Sequence, residues 1–291
     1  MESVSPITWF GGKGHMVRHL LPLLPPHTTY VEVFGGGAAL LHAKLPSACE
    51  IYNDVDLLVT DFFRVLRDPV LFEQFQRSVT FLPHSRAEFS WARATLNVST
   101  DPMERAVAFY VIARQGFSGD HLHGGWSYSR GESSRGMANS TAKWLTGVES
   151  LPDIHRRWMR VQIEADCFRK VIPRFDDPSA CFYVDPPYHP STRRRGKYRF
   201  DLTAEDHEDL VSLLLTVQGK CILSGYANPL YRQLEDAGWC RLDFPTHAHA
   251  AGRTRLTGIL GAGSAAREQA RVESVWLNPQ ARSGQVQLRL L

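Results

Sequence analysis

Short runs of β-forming residues, separated by helix-length segments, are the feature that most narrows what this chain can become. Thr29–Phe34 (TYVEVF) stops at Gly35-Gly36-Gly37, and Ala38–Leu45 then reads as a helix. Cys49–Asn53 (CEIYN) is a second strand, followed by Val55–Leu66 with Leu58, Phe62 and Val65 at helical spacing. The rhythm resumes with Val161–Ala165, Cys181–Val184, Cys221–Tyr226 and Cys240–Phe244. Before the third of these, Thr203 can cap a helix with Asp206 at its third position, and Leu210, Leu213, Leu214 and Val217 form one apolar face. Parallel strands cannot be joined by a tight turn and need a crossover, so the repetition predicts a mainly parallel sheet with helices on both faces. Val272–Leu277 (VESVWL) reads as a final strand near an edge.

From Asp68 to Arg160 the alternation breaks. Met103–Arg114 has helical character, and Gly116–Ser140, containing GGWSYSRGESSRG, is rich in Gly, Ser and His. The expected organisation is a core from residues 1–67 and 161–291, with a mostly helical lobe of residues 68–160 inserted into it and carrying a loop or hairpin. A second glycine-rich stretch, Thr246–Arg271, holds Arg253, Arg255, Arg267 and Arg271 and reads as a mobile loop. At 43% apolar and 22% charged residues, the composition is that of a globular protein, which excludes disordered and fibrous classes. No apolar run approaches the ~18 residues of a membrane span, and no basic-then-apolar leader opens the chain. The five cysteines form no CxxC pair, so reduced, mostly buried thiols and a cytoplasmic location are expected. A net charge of +3 permits a nucleic-acid partner without arguing for one.

The chemistry collects at strand ends. Val184-Asp185-Pro186-Pro187-Tyr188 follows an apolar strand, where open α/β sheets place their ligands. Its prolines remove two backbone donors, leaving a stiff turn with acceptors only, the Asp185 carboxylate and the Pro186 carbonyl. Such a turn suits an exocyclic amine, and Tyr188 offers a flat face for stacking a base. Glu32-Val33-Phe34-Gly35-Gly36-Gly37 is a strand, a glycine turn and a helix start, able to approach a ligand closely, but is neither G-x-G-x-x-G nor a P-loop. Asn53-Asp54 closes the next strand, where an acid can accept from ribose hydroxyls, and Asp166-Cys167 follows another, where a carboxylate can accept from an adenine amino group. Together they describe a pocket for an adenosine-bearing cofactor. Trp9 and Lys13 precede the first strand; Lys13 could pair with a carboxylate and Trp9 cover an apolar group, or both could belong to a loose N-terminal arm.

In order along the chain, ITWFGGKG, YVEVFGGGAAL, IYNDVD, IEADC and FYVDPPY, then KCILSGY, LEDAGW and VESVWLNP, resemble the adenine-specific DNA methyltransferases of the Dam-like D12 class. The resemblance covers nearly the whole chain, least of all residues 68–160. It implies an α/β fold with a Rossmann-like seven-stranded mixed sheet, whose last strand is inserted antiparallel, and an inserted target-recognition lobe. It implies S-adenosyl-L-methionine as cofactor, with Trp9 and Lys13 at its methionine end, Glu32, Phe34, Gly35 and Gly37 in the pocket floor, Asp54 on the ribose, and Asp166 and Cys167 at its adenine. Asp185, Pro186 and Tyr188 would hold a flipped-out target adenine, with Asp185 also bordering the cofactor. The family often has Pro where this chain has Val33, and Asp-Phe where it has Asp166-Cys167, so altered packing with retained polar contacts is expected.

Double-stranded DNA would be the partner. Arg193, Arg194, Arg195, Lys197 and Arg199 put five cations within seven residues just after the DPPY turn, either a solvated face or a phosphate contact. Phe117, His121, Trp126, Tyr128, Arg130 and Arg135 interleave aromatics with bases, as a groove-entering hairpin would, although Phe117 and Trp126 could equally be core. The histidine pairs 121/123 and 247/249 lack further ligands nearby, and no metal is expected. A monomer suffices, acting alone in a bacterium or phage or beside a cognate restriction endonuclease. Competing readings are a methyltransferase for cytosine N4 or RNA adenine, and a non-catalytic DNA- or RNA-binding protein on a methyltransferase core.

Overall fold

The computed structural model describes residues 5–9, 11–117, 124–192, 199–247 and 270–283. The chain enters through a short helix, α1 (Val17–Leu20), and continues as β1 (Thr29–Glu32), α2 (Ala39–Ala43), β2 (Cys49–Asn53) and α3 (Leu57–Arg67). Helices α4 (Pro69–Thr80), α5 (Arg86–Val98) and α6 (Pro102–Gln115) follow, then a hairpin of β3 (Ser133–Ser134) and β4 (Met137–Ala138), and helices α7 (Asn139–Glu149) and α8 (Leu151–Trp158). The chain then returns to the sheet as β5 (Gln162–Glu164), α9 (Phe168–Phe175), β6 (Ala180–Val184), α10 (Ala204–Leu214), β7 (Lys220–Gly225), α11 (Arg232–Asp236), β8 (Cys240–His247) and β9 (Ala270–Leu277).

The helix starts follow local chemistry. Asp68 Oδ1 accepts from the Val70 and Leu71 N–H groups ahead of Pro69, and Asp56, Ser85 and Asp101 cap α3, α5 and α6 likewise. Thr203 and Asp206 form the expected reciprocal capping box on α10. The helix expected over Ala38–Leu45 is shorter, Ala39–Ala43, because Ala38 is left-handed and Lys44 turns extended two residues ahead of Pro46.

The seven strands run in the order β5-β2-β1-β6-β7-β9-β8, and β5, β2, β1, β6 and β7 pair in parallel. β9 is antiparallel to both its neighbours, giving the mixed seven-stranded methyltransferase-type sheet expected from the sequence. Val272–Leu277 lies near the edge as expected: β9 sits between β7 and β8, and β8, extending to His247, forms the edge itself.

Both faces are covered, so alternate strand residues enter opposite cores. Tyr30, Tyr52 and Tyr183 join one cluster, Val31, Ile51 and Phe182 the other. On the first face, Phe62 of α3 meets Phe75 of α4 and Phe109 of α6, and Tyr110 lies 5.5 Å from Trp144 of α7. Residues Ala106–Ala113 of α6 are buried all round, as befits a helix surrounded by others. Phe63 and Trp158 stack with centroids 3.7 Å apart and an interplanar angle of 16°, so α3 and α8 are joined where the helical segment returns to the sheet. Trp158→Ala should destabilise the protein by about 3–5 kcal/mol in denaturant titration. A loss below about 1 kcal/mol would show that this stack does not hold the two helices together.

Candidate active site

β1 and β6 lie side by side at the middle of the sheet, and the chain leaves them toward opposite edges. The crevice at their carboxyl ends is therefore the place where an α/β sheet can bind a ligand without disturbing its core. A cavity of about 460 Å³ opens there, lined by Trp9, Lys13, Glu32, Phe34, Gly35, Gly37, Asp54, Cys167, Asp185 and Pro186 among others. Ten of the sequence-predicted residues thus share one cavity.

Its floor is the glycine turn after β1. A Cβ on Gly35 would stand 2.1 Å from the Tyr52 ring, and Gly36 adopts a left-handed φ of +47° against Trp9, so neither position accepts a side chain without displacement. The turn is tied down from β2: Tyr52 OH donates to the Gly36 carbonyl (2.7 Å), and the Gly36 N–H donates to Asp54 Oδ2 (2.9 Å). Asp54 Oδ1 accepts from the Asp56 N–H at 2.8 Å. Burial nevertheless outweighs these donors and pushes the Asp54 carboxyl up to about 6. Glu32, whose Oε1 accepts from Tyr30 OH and the Leu41 N–H, is pushed up by burial to about 7.

On the opposite rim, β6 is buried throughout, so Asp185 is the first side chain able to leave the core. Lys13 Nζ lies 2.7 Å from Asp185 Oδ1 and donates to the Tyr188 hydroxyl at 2.8 Å. That hydroxyl donates to Glu273 Oε1 at 2.6 Å, and Glu273 Oε2 is 3.7 Å from Lys13 Nζ. Burial raises the Asp185 carboxyl to about 6 against the pull of Lys13. The Tyr188 ring lies 4.7 Å from Lys13 Nζ and 4.3 Å from the Tyr226 ring. Glu273 and Tyr226 were not foreseen. The acid in VESVWL was the available signal, since a strand inserted between two others buries most of its side chains.

The third rim differs from expectation in detail. Asp166 is not among the residues lining the cavity; its carboxylate is ion-paired with Lys170 and Arg174, both at 3.2 Å. The Cys167 N–H and these cations hold its carboxyl below the usual range. Cys167 and Phe168 line the cavity instead, and Phe168 faces Phe34 with centroids 5.7 Å apart. Arg199, the last of the five-cation run, donates to Asp56 Oδ1 at 3.1 Å, and residues 199–202 pass along the cavity.

In the helical segment Trp126 is half-buried. Its Nε1 donates to Gln115 Oε1 (3.4 Å), the Arg86 guanidinium lies 4.8 Å from its ring, and it bridges back to Gly116. Tyr128 is 47% exposed and stacks on Trp126, Arg130 donates to the Tyr128 hydroxyl, and Phe117 is 38% exposed. Arg135 is held by Glu149 through two contacts of 2.8 and 2.9 Å, so its charge is already paired. His121, Arg193, Arg194, Arg195 and Lys197, with most of the glycine-rich loop after Thr246, lie outside the described residues. Among the described residues no group of three or more His, Cys, Asp or Glu could hold a metal, and no helix is long and apolar enough to cross a membrane.

The family model described as D12 class N6 adenine-specific DNA methyltransferase matches residues 9–242. No curated protein matches. Among solved structures, a candidate RNA methyltransferase from Pyrococcus horikoshii aligns at 8% identity over 94% of this chain and 86% of its own, with a TM-score of 0.38, too low to support any argument.

The Lys13 ammonium is the nearest cation to Asp185, so Lys13→Met should move the Asp185 pKa further above about 6. Carboxyl-carbon NMR titration of the variant checks this, and an unchanged value would mean the two groups are not electrostatically coupled.

Proposed function

The chain belongs to the D12 class of N6 adenine-specific DNA methyltransferases, and on that footing we propose how its residues carry out the reaction. S-adenosyl-L-methionine binds in the cavity between β1 and β6. The lining suits it: the Phe34 and Phe168 rings offer flat apolar walls for an adenine, and Asp54, with lone pairs to spare after accepting two backbone N–H bonds, can take ribose hydroxyls. Trp9 and Lys13, which line the same cavity, take the methionine end in this reading, and Cys167 takes the adenine. When bound, this cofactor supplies an electrophilic methyl group.

Duplex DNA buries adenine N6 in the base stack, so the target nucleotide is flipped out at a cost of about a few kcal/mol. Tyr188 stacks the extruded base. The Asp185 carboxylate and Pro186 carbonyl accept the two N6–H bonds, which favours a pyramidal amine and leaves its lone pair free to attack. Prolines at 186 and 187 contribute no competing N–H donors. Asp185 acts as an acceptor, not as a base, until the methyl has moved. N6 becomes acidic only once it carries four substituents, and Asp185 is then the nearest base to take the proton. The pairing of Asp185 with Lys13 at 2.7 Å on the lining of the cavity, which lowers the cost of its buried charge, carries this reading.

The helical segment of residues 68–160 reads DNA, with Phe117, Tyr128 and Arg130 as its exposed contacts and Trp126 anchoring them, and His121 and Arg135 belong to the same proposed set. Arg193, Arg194, Arg195 and Lys197 contact backbone phosphates beside the flipped base. The enzyme works as a monomer in the cytoplasm of a bacterium or of a phage's host, alone or alongside a cognate restriction endonuclease.

Incubation with unmethylated DNA and labelled S-adenosyl-L-methionine, followed by digestion to nucleosides, should yield labelled N6-methyladenine. Label on cytosine, or on RNA alone, would overturn the substrate, and no label on any DNA would overturn the reading. Asp185→Ala should lower single-turnover methylation by at least about 100-fold. The wild-type rate should fall as pH drops through about 6, because protonation removes the carboxylate acceptor and the raised pKa places that loss near pH 6 rather than pH 4. A rate flat down to pH 5 would exclude ionised Asp185 from the step.

A further inference from the structure

Each charged side chain at the DPPY rim has a role in the reading above except Glu273. It comes from β9, which runs antiparallel to both its neighbours, β7 and β8. Ser274 pairs with Gly225, the last residue of β7, so Glu273 stands just beyond the carboxyl end of β7, on the rim where β6 delivers Asp185. Its side chain is 6% exposed, and burying a carboxylate is costly unless something is gained by it. A purely structural account would make it the ion-pair partner of Lys13. The distances argue otherwise: Lys13 Nζ is 2.7 Å from Asp185 but 3.7 Å from Glu273, whose short contact, 2.6 Å, is the Tyr188 hydroxyl.

We infer that Glu273 is a positioning residue for methyl transfer, acting through the Tyr188 hydroxyl to fix the ring on which the target base stacks; this rests on the role proposed above for Tyr188. Tyr188 follows two prolines, so its own loop supplies few backbone donors to pin it. Its hydroxyl is the remaining handle, and both of that group's capacities are used: it accepts from Lys13 and donates to Glu273. The result is a continuous chain, Asp185–Lys13–Tyr188–Glu273, with contacts of 2.7, 2.8 and 2.6 Å. One end holds the amine acceptor and the other is anchored in the sheet by β9. Removing the anchor leaves Tyr188 tied only to a flexible lysine and free to tilt against Tyr226.

The test is a double-mutant cycle on the full-length enzyme with duplex DNA and labelled S-adenosyl-L-methionine. Glu273→Ala should lower kcat by about 10- to 100-fold, while KM for DNA and the Kd for S-adenosylhomocysteine stay within about threefold. Glu273→Gln, whose amide oxygen can still accept from Tyr188, should recover kcat to within about fivefold of wild type. In a Tyr188→Phe background, Glu273→Ala should cost nothing further, because the group it acts through is gone. The inference is overturned if Glu273→Ala keeps wild-type kcat, if Glu273→Gln is as defective as Glu273→Ala, or if the two losses multiply. Should Glu273→Ala fail to fold, the Glu273→Gln and Tyr188→Phe arms still decide, since wild-type kcat in Tyr188→Phe alone would also overturn it. Label appearing on a base other than adenine would instead refute the substrate assignment, and the cycle run on that base would judge Glu273 separately.

Discussion

A parallel sheet with both faces covered leaves polar chemistry nowhere to go but the strand ends, and the rest of this molecule follows from that. All five residues of β6 are buried, and Tyr30 and Val31 of β1 enter opposite cores. Asp185, Asp54 and the glycine turn lie in the first residues past their strands, where a side chain can be polar without costing the core a hydrogen bond. Because β1 and β6 are adjacent while their continuations diverge, the two ends face one another across a gap that no crossover helix fills. The site is a consequence of strand order before it is a set of residues.

The same burial makes the cleft electrostatically demanding. Glu32, Asp54 and Asp185 all sit where desolvation raises their carboxyls to between about 6 and 7, and Lys13 is the ammonium placed among them. Lys13 touches Asp185, Tyr188 and, more distantly, Glu273, so one charge serves both the Asp185 carboxylate and the aromatic beside it. A cleft with this excess of acids suits a ligand carrying positive charge and hydroxyl or amine donors, which would restore the hydrogen bonds that burial took from the carboxylates. Arg199, on Asp56 at the cleft's outer edge, relieves the same excess from the other side.

Much of this was legible in the sequence, for a physical reason. Strands buried on both faces are short continuous apolar runs, and those of β2, β6 and β7 fall within a residue or two of where the sequence puts them. The DPPY turn and the glycine turn are equally local, because proline and glycine impose their geometry wherever they occur. Partner choice is not local. VESVWL announces a strand, but its place between two others came only from the family resemblance, so the burial of Glu273 is not legible in those residues themselves. Asp166 shows the converse. Its position past a strand suggested a cofactor contact, yet its carboxylate is ion-paired with Lys170 and Arg174, further along on α9, and Cys167 and Phe168 line the cavity.

How the helical segment and the cleft communicate follows from packing. The aromatic core of α4, α6 and α7 is continuous with that under α3 and the sheet, through Phe62, Phe109 and Tyr110. Trp9 joins the two: it packs against Gly36 and Gly37 at the floor of the cleft, and its ring meets Phe109 of α6 edge-on at 6.4 Å. A shared close-packed core resists rigid-body displacement, since sliding one element would open voids along the whole contact. Tyr128 and Arg130, exposed at the surface, lie outside this shared core, while the helices behind them hold Trp9, and with it the cleft, in register.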